Sequence, residues 1–80
     1  MNIIDIRDSK SYLLGHIPNS INIFYLDLIS NPSKYLNKND TYHIYCKSGI
    51  TSKRVVNSLN KLGYHTVNID GGYNKFISSK

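Results

Sequence analysis

The stretch TYHIYCKSGITSKRVVNSLNKLG, residues 41–63, predicts a strand, a short loop and a helix in direct succession. The strand covers Thr41–Cys46, a short run with apolar and aromatic side chains. Beyond the loop, apolar residues recur at the spacing of one helix face: Val55, Val56, Leu59 and Leu62. Gly63 supplies a C-terminal stop for that helix. A strand that leads into a helix is the repeating unit of α/β domains with parallel sheets.

The remaining segments repeat this alternation. Further strands are predicted at Asn2–Arg7, at Ser20–Ile23 and in YHTVNID, residues 64–70. Helical segments are predicted from Asp8 or Ser9 to Gly15, on both sides of Asn31-Pro32 as one broken helix or two short ones, and within residues 71–79. The prediction is an α/β fold, with a small parallel sheet of about four strands flanked by helices on both faces. A single domain is expected over residues 1–80.

The charge pattern argues against nucleic acid as a partner. The chain has ten Lys and Arg residues against five Asp residues, and a net charge of +5. These basic residues are scattered and form no block of like charges, which favours a solvated basic surface. No apolar run approaches the length of a membrane span, so no membrane partner is expected either.

Cys46 is the only cysteine of the chain. A single thiol excludes an intramolecular disulfide and a Cys-rich zinc site, and no pair of histidines has metal-ligand spacing. No metal site is therefore predicted. The N-terminal segment MNIIDIRDSK has no long apolar core and does not resemble a signal peptide. A lone thiol fits a reducing compartment, so a cytoplasmic location is expected.

The loop CKSGIT, residues 46–51, is suited to binding an anion. If the chain curls there, its backbone N–H groups and those at the start of the helix converge on one point. Gly49 allows the tight turn, and Lys47 adds positive charge. Such surroundings lower the pKa of a thiol and favour the reactive thiolate. The alternative is that Cys46 is a small buried packing residue, which is the common case for a lone cysteine.

Three motifs in order resemble the rhodanese-like domain family. They are IDIRDSKSYLLGHIPNSINI at residues 4–23, YCKSGITS at residues 45–52 and GGYNKF at residues 71–76. The resemblance runs from Ile4 to Phe76, nearly the whole chain. It implies a shortened rhodanese-like fold, because family members usually have five strands and a fuller last helix.

The resemblance implies sulfur transfer. Cys46 would take a sulfane sulfur from a small anionic donor, thiosulfate or a persulfide, and pass it from a Cys46 persulfide to cyanide or a thiol. A protein could also serve as sulfur donor or acceptor. The substrate-binding residues would be those of the loop: Lys47, Ser48, Gly49, Ile50 and Thr51. No metal or organic cofactor is implied.

Other candidate residues lie outside the cysteine loop. Asp5 and Arg7 end the first strand, and an ion pair that braces the neighbouring loops is favoured over donor binding. His16 is a possible general base for Cys46, although a hydrogen bond within its turn is favoured. The segment Asp70-Gly71-Gly72 is expected to form one wall of the mouth of the site.

Other functions stay open at this point. One is a persulfide carrier or binding module that acts with a partner protein and turns over thiosulfate poorly. A phosphatase or arsenate reductase is disfavoured, because cysteine phosphatases place an arginine where this chain has Ser52. Many short rhodanese-like domains have arginine at the position of Thr51, so weak binding of an oxyanion donor is also considered.

Overall fold

The computed structural model describes residues 1–80. It contains one parallel sheet of four strands in the order β2-β1-β3-β4. The strands are β1 Asn2–Asp5, β2 Ser20–Asn22, β3 Thr41–Tyr45 and β4 His65–Asn68. The helices are α1 Ser9–Leu14, α2 Tyr25–Ser30, α3 Pro32–Tyr35, α4 Ile50–Lys61 and α5 Gly72–Ser78. The predicted α/β fold with a small parallel sheet is confirmed, and no helix has the length and apolar character to cross a membrane.

The predicted elements are present, with shorter bounds in several cases. The first strand ends at Asp5 rather than Arg7, although the Ile6 N–H still donates to the Tyr45 carbonyl at 3.0 Å. Of the two forms considered around Asn31-Pro32, the structure has two short helices. Asn31 ends α2, and Pro32 begins α3, because proline fits the first helical position but cannot donate within a helix.

The hydrophobic core lies on one face of the sheet, against α2 and α4. Alternate side chains of the central strands point to this face, as the period of a strand requires. The core consists of Ile4, Ile6, Ile23, Leu28, Leu36, Tyr42, Ile44, Cys46, Val55, Val56, Leu59 and Tyr64. The core-facing side chains along β3 and the residue after it are Tyr42, Ile44 and Cys46. Cys46 is the last of these and lies where the core meets the carboxyl edge of the sheet.

The opposite face is more polar and lies under α1 and α5. Tyr45 is fully buried there, and its hydroxyl accepts a hydrogen bond from the Ile17 N–H at 3.0 Å. Burial raises the pKa of Tyr45 to about 12, and a hydrogen bond to Asp5 acts in the same direction. The phenol therefore stays neutral, and it ties the segment after α1 to the sheet.

Candidate active site

Cys46 follows β3 at the carboxyl edge of the sheet, and 7% of it is exposed. Its sulfur accepts two backbone hydrogen bonds, from the Gly49 N–H at 3.2 Å and from the Ser52 N–H at 3.3 Å. The thiol donates to the Ser52 hydroxyl oxygen at 3.3 Å. The loop after β3 thus closes around the sulfur atom itself.

Gly49 makes this closed loop possible. It has φ +95°, in the left-handed region, and directly precedes the first residue of α4. A Cβ at this position would also lie 2.9 Å from the backbone nitrogen of Gly71. The glycine is therefore required both by its backbone conformation and by the close approach of the loop before α5.

The first turn of α5 holds the carbonyl groups of the cysteine loop. The Tyr73 N–H donates to the Cys46 carbonyl at 2.9 Å, and the Asn74 N–H donates to the Lys47 carbonyl at 2.9 Å. Carbonyls that face α5 leave the N–H groups of the loop free to face the opposite way. Besides those of Gly49 and Ser52, which donate to the sulfur, the loop N–H groups that meet no backbone acceptor belong to Lys47, Ser48, Ile50 and Thr51.

The surroundings lower the pKa of the Cys46 thiol below its ordinary value. Burial acts to raise the pKa, but hydrogen bonds that favour the thiolate outweigh it. These come from the Ser52 hydroxyl, once it turns to donate to the sulfur, and from the backbone N–H groups of Ser52, Gly49 and Ser48. The sulfur also lies at the N-terminus of the 12-residue helix α4, whose dipole favours an anion.

A second group of polar side chains lies behind the sulfur. Ser52 is fully buried, and its hydroxyl donates to the Asn68 carbonyl oxygen Oδ1 at 2.5 Å. The Asn68 amide donates in turn to Asp70 Oδ1 at 2.9 Å and to the Gly49 carbonyl at 3.3 Å. Sequence reasoning missed Asn68. The only available signal was its place at the end of the strand next to β3, at the edge where the loops meet.

Cys46 opens onto a cleft of about 530 Å³. Of the predicted substrate-binding residues, Lys47, Ser48 and Thr51 line this cleft. Gly49 is buried beside the sulfur, and the Ile50 side chain is 67% exposed outside the cleft. The other side of the cleft is largely apolar and consists of Leu14, Phe24, Tyr25, Tyr73 and Ile77. The cleft therefore joins an apolar wall to a loop that presents N–H groups and one lysine.

The family model of the rhodanese-like domain matches residues 1–79. The chain belongs to the rhodanese-like domain family. A solved rhodanese-related protein from Thermoplasma volcanium has the same fold, with a TM-score of 0.88 and 31% identity; the alignment covers 98% of this chain and 77% of that one.

Two curated relatives come from Bacillus subtilis. YtwF, provisionally named a sulfurtransferase, is 34% identical over 70 residues, which are 88% of this chain and 67% of YtwF. YrkF, provisionally named a sulfur carrier protein, is 33% identical over 67 residues, which are 84% of this chain and 36% of YrkF. The chain thus spans about a third of YrkF. Family membership and these names support sulfur transfer in general and specify no substrate.

In this rhodanese-like domain, Asp5 and Arg7 form a buried ion pair beside the cleft. Arg7 Nη2 lies 2.7 Å from Asp5 Oδ2, and the same nitrogen donates to the Gly15 carbonyl at 2.7 Å. The Arg7 guanidinium also stacks over the Tyr73 ring at 4.2 Å. Arg7 lines the cleft and joins β1, the end of α1 and α5, and its Nε and Nη2 donors are bonded to protein acceptors.

The remaining candidates lie away from the sulfur. The exposed His16 stacks on Tyr12 with 3.8 Å between ring centroids and does not line the cleft, so it has no contact with Cys46. The segment Asp70-Gly71-Gly72 was expected to form a wall of the mouth, but it packs behind the cysteine loop. The wall on this side consists of Tyr73, Asn74 and Ile77, because α5 begins at Gly72 and turns these side chains toward the cleft.

Proposed function

We propose that this domain is a sulfurtransferase in which Cys46 carries the sulfur as a persulfide. The Cys46 thiolate attacks the sulfane sulfur of thiosulfate, the donor S–S bond breaks, and sulfite leaves with the electron pair. Cyanide or a thiolate then attacks the outer sulfur of the Cys46 persulfide. The persulfide S–S bond breaks, the product leaves with the sulfur, and Cys46 returns as the thiolate.

The observation that carries this proposal is the convergence of N–H donors on Cys46 at the mouth of a cleft. The Gly49 and Ser52 N–H groups contact the sulfur, and the pKa of the thiol is lowered. Four further N–H groups of the loop meet no backbone acceptor: those of Lys47, Ser48, Ile50 and Thr51. We assign them to the negative charge on the outer sulfur of the persulfide. Backbone donors suit a polarisable sulfur anion and require no metal.

Lys47 is the cation proposed to attract an anionic donor. It lines the cleft directly after Cys46, whereas the guanidinium of Arg7 is paired with Asp5. Arg54 is exposed and does not line this cleft. The position that holds arginine in cysteine phosphatases is Ser52, which is buried and uncharged. Sulfur transfer therefore remains favoured over phosphate or arsenate chemistry.

The apolar wall of the cleft favours a second candidate, a persulfide carrier that serves a partner protein. Leu14 is 83% exposed and Ile77 is 46% exposed, and both line the cleft that contains Cys46. A hydrated inorganic anion gains little free energy from contact with these side chains. The apolar surface of a protein gains more, because both surfaces are then removed from water. In this form, Cys46 receives sulfur from a protein persulfide in a reducing compartment such as the cytoplasm and hands it on.

The two candidates are separated by a thiocyanate assay combined with mass spectrometry. The protein is incubated with thiosulfate and cyanide, alongside Cys46→Ser, Lys47→Ala and the control Lys53→Ala. Lys53 is exposed on α4 and does not line the cleft. Lys53→Ala therefore removes the same charge without changing the proposed donor site. Turnover that is lost in Cys46→Ser and lowered about tenfold in kcat/KM by Lys47→Ala alone supports the enzyme.

The other outcomes of this experiment support the carrier or contradict the proposed chemistry. No thiocyanate, together with a mass gain of one sulfur on Cys46 after exposure to a persulfide donor, supports the carrier. Neither thiocyanate nor a Cys46 persulfide from any donor contradicts sulfur transfer altogether. Equal activity in the wild type and Cys46→Ser would show that the thiol is not the reacting group.

A further inference from the structure

The orientation of the Asn68 amide is determined by its neighbours. Its nitrogen faces two acceptors, Asp70 Oδ1 at 2.9 Å and the Gly49 carbonyl at 3.3 Å. A flipped amide would place its oxygen against both of these oxygens, which is unfavourable. The carbonyl oxygen of Asn68 therefore faces the Ser52 hydroxyl at 2.5 Å.

This orientation decides where the single hydroxyl hydrogen of Ser52 lies. Asn68 Oδ1 has no hydrogen to donate, so Ser52 must be the donor in this bond. The sulfur of Cys46 then faces the lone pairs of the Ser52 oxygen and donates its own hydrogen to them at 3.3 Å. The chain of bonds from Cys46 to Ser52 to Asn68 is consistent with a protonated thiol.

Ionisation of Cys46 changes this arrangement. The thiol proton leaves to water, and a sulfur anion then faces the lone pairs of Ser52. The Ser52 hydroxyl can turn and donate to the thiolate only if it gives up its bond to Asn68. The thiolate and Asn68 thus compete for one hydrogen atom, whereas the N–H groups of Gly49 and Ser52 favour the anion without competition.

We propose that Asn68 is a positioning residue that sets the balance between thiol and thiolate at Cys46 by holding the hydroxyl hydrogen of Ser52. It deepens the proposed function, in which Cys46 is the reacting group. Asn68 touches neither the sulfur nor the cleft, and it acts only through Ser52. By moderating the thiolate, it makes Cys46 less reactive between rounds of sulfur transfer than the N–H donors alone would make it.

The charged and titratable groups around Cys46 do not take part in this competition. The cleft is lined by Lys47, Asp8, Tyr25 and Tyr73, and by Arg7, which is paired with Asp5. None of them is hydrogen-bonded to Ser52 or to the sulfur. Of the charged groups in this region, Asp70 is the one that is hydrogen-bonded to Asn68, and its side chain is exposed. An Asp70→Asn control removes this charge and keeps the bond between Ser52 and Asn68.

The test is a thermodynamic cycle on the pKa of Cys46. The rate of iodoacetamide alkylation is measured against pH for the wild type, Asn68→Ala, Ser52→Ala and the double variant. Each rate reports Cys46 alone, because the chain has one cysteine. Asn68→Ala is expected to lower the pKa of Cys46 by about one unit, because the thiolate then gains one hydrogen bond from Ser52. In the Ser52→Ala background, the same change is expected to have no effect, and Asp70→Asn is expected to leave the pKa nearly unchanged.

Several results would overturn the proposal. These are an unchanged or raised pKa in Asn68→Ala, or an equal fall with and without the Ser52 hydroxyl. An equal fall would mean that Asn68 acts through the Gly49 carbonyl and the shape of the loop. Should Asn68→Ala not fold, as judged by circular dichroism, Asn68→Val replaces it with a side chain suited to a strand. Alkylation requires no sulfur donor, so failure here is distinguishable from failure of the proposed sulfur transfer.

Discussion

The Tyr73 N–H donates to the Cys46 carbonyl oxygen at 2.9 Å and thereby joins the last helix to the cysteine loop. The Asn74 N–H makes the equivalent bond to Lys47. Between these segments, Gly72 approaches the Cys46 carbonyl so closely that a side chain has no room. The Gly-Gly motif near the end of the chain therefore shapes the surroundings of the thiol from behind, without lining the cleft.

This packing predicts that Gly72→Ala is more destabilising than Gly63→Ala. Both residues have positive φ, +57° and +95°, so alanine is strained at each by about 1–2 kcal/mol. At Gly63 the nearest atom to an added Cβ is Lys38 Nζ at 3.6 Å, which leaves room. At Gly72 the clash with the Cys46 carbonyl should cost roughly 1–3 kcal/mol more. Urea denaturation of the two variants measures the difference, and equal losses would contradict it.

The two arginines of the chain allow a matched test of the ion pair. Arg7→Ala leaves the fully buried Asp5 carboxylate without its partner, and breaking such a pair costs about 3–5 kcal/mol. Arg54 is exposed on α4, so Arg54→Ala should change the free energy of unfolding by less than about 0.5 kcal/mol. Urea midpoints give both values. A loss at Arg7 no larger than at Arg54 would show that Asp5 is stabilised by its other contacts.

The lowered pKa of Cys46 predicts the pH dependence of its alkylation. Burial acts to raise this pKa, but the N–H groups of Ser52 and Gly49 favour the thiolate and outweigh it, so the midpoint should lie below that of an ordinary thiol. The same protein unfolded in urea should return to the ordinary value. By linkage, the thiolate stabilises the fold fully above the unfolded pKa, and this stabilisation is lost as pH falls through the folded pKa. Identical midpoints for folded and unfolded protein would rule out the effect.

Thr51 offers a gain-of-function test of donor binding. It lines the cleft at the position where many rhodanese-like domains have arginine. Thr51→Arg should lower the KM for thiosulfate about tenfold, since a guanidinium forms charge-assisted hydrogen bonds with an oxyanion. Thr51→Gln, which is long and polar but uncharged, is the control. The gain should shrink as ionic strength rises. Equal KM values for Thr51→Arg and Thr51→Gln would show that a missing positive charge does not limit donor binding.

Much of this fold was predictable because its signals are local. The run Thr41–Cys46 and the helical spacing of Val55 and Leu59 determine a strand and a helix through their own side chains. The break at Asn31-Pro32 was also visible, because proline limits the residue before it wherever it occurs. The wall of the cleft was predicted less well, since α5 turns Tyr73 and Ile77 toward Cys46 only in the packed domain.

By itself, the sequence determined that the one thiol stands at the end of a strand, before a glycine turn and a helix. Those features depend on neighbouring residues and on backbone preferences. Only the tertiary structure decided which N–H groups meet the sulfur and that Asn68 holds the Ser52 hydroxyl. Ser52 and Asn68 lie on different elements, and strand order and packing bring them together. No local pattern encodes a contact that exists only after the sheet has formed.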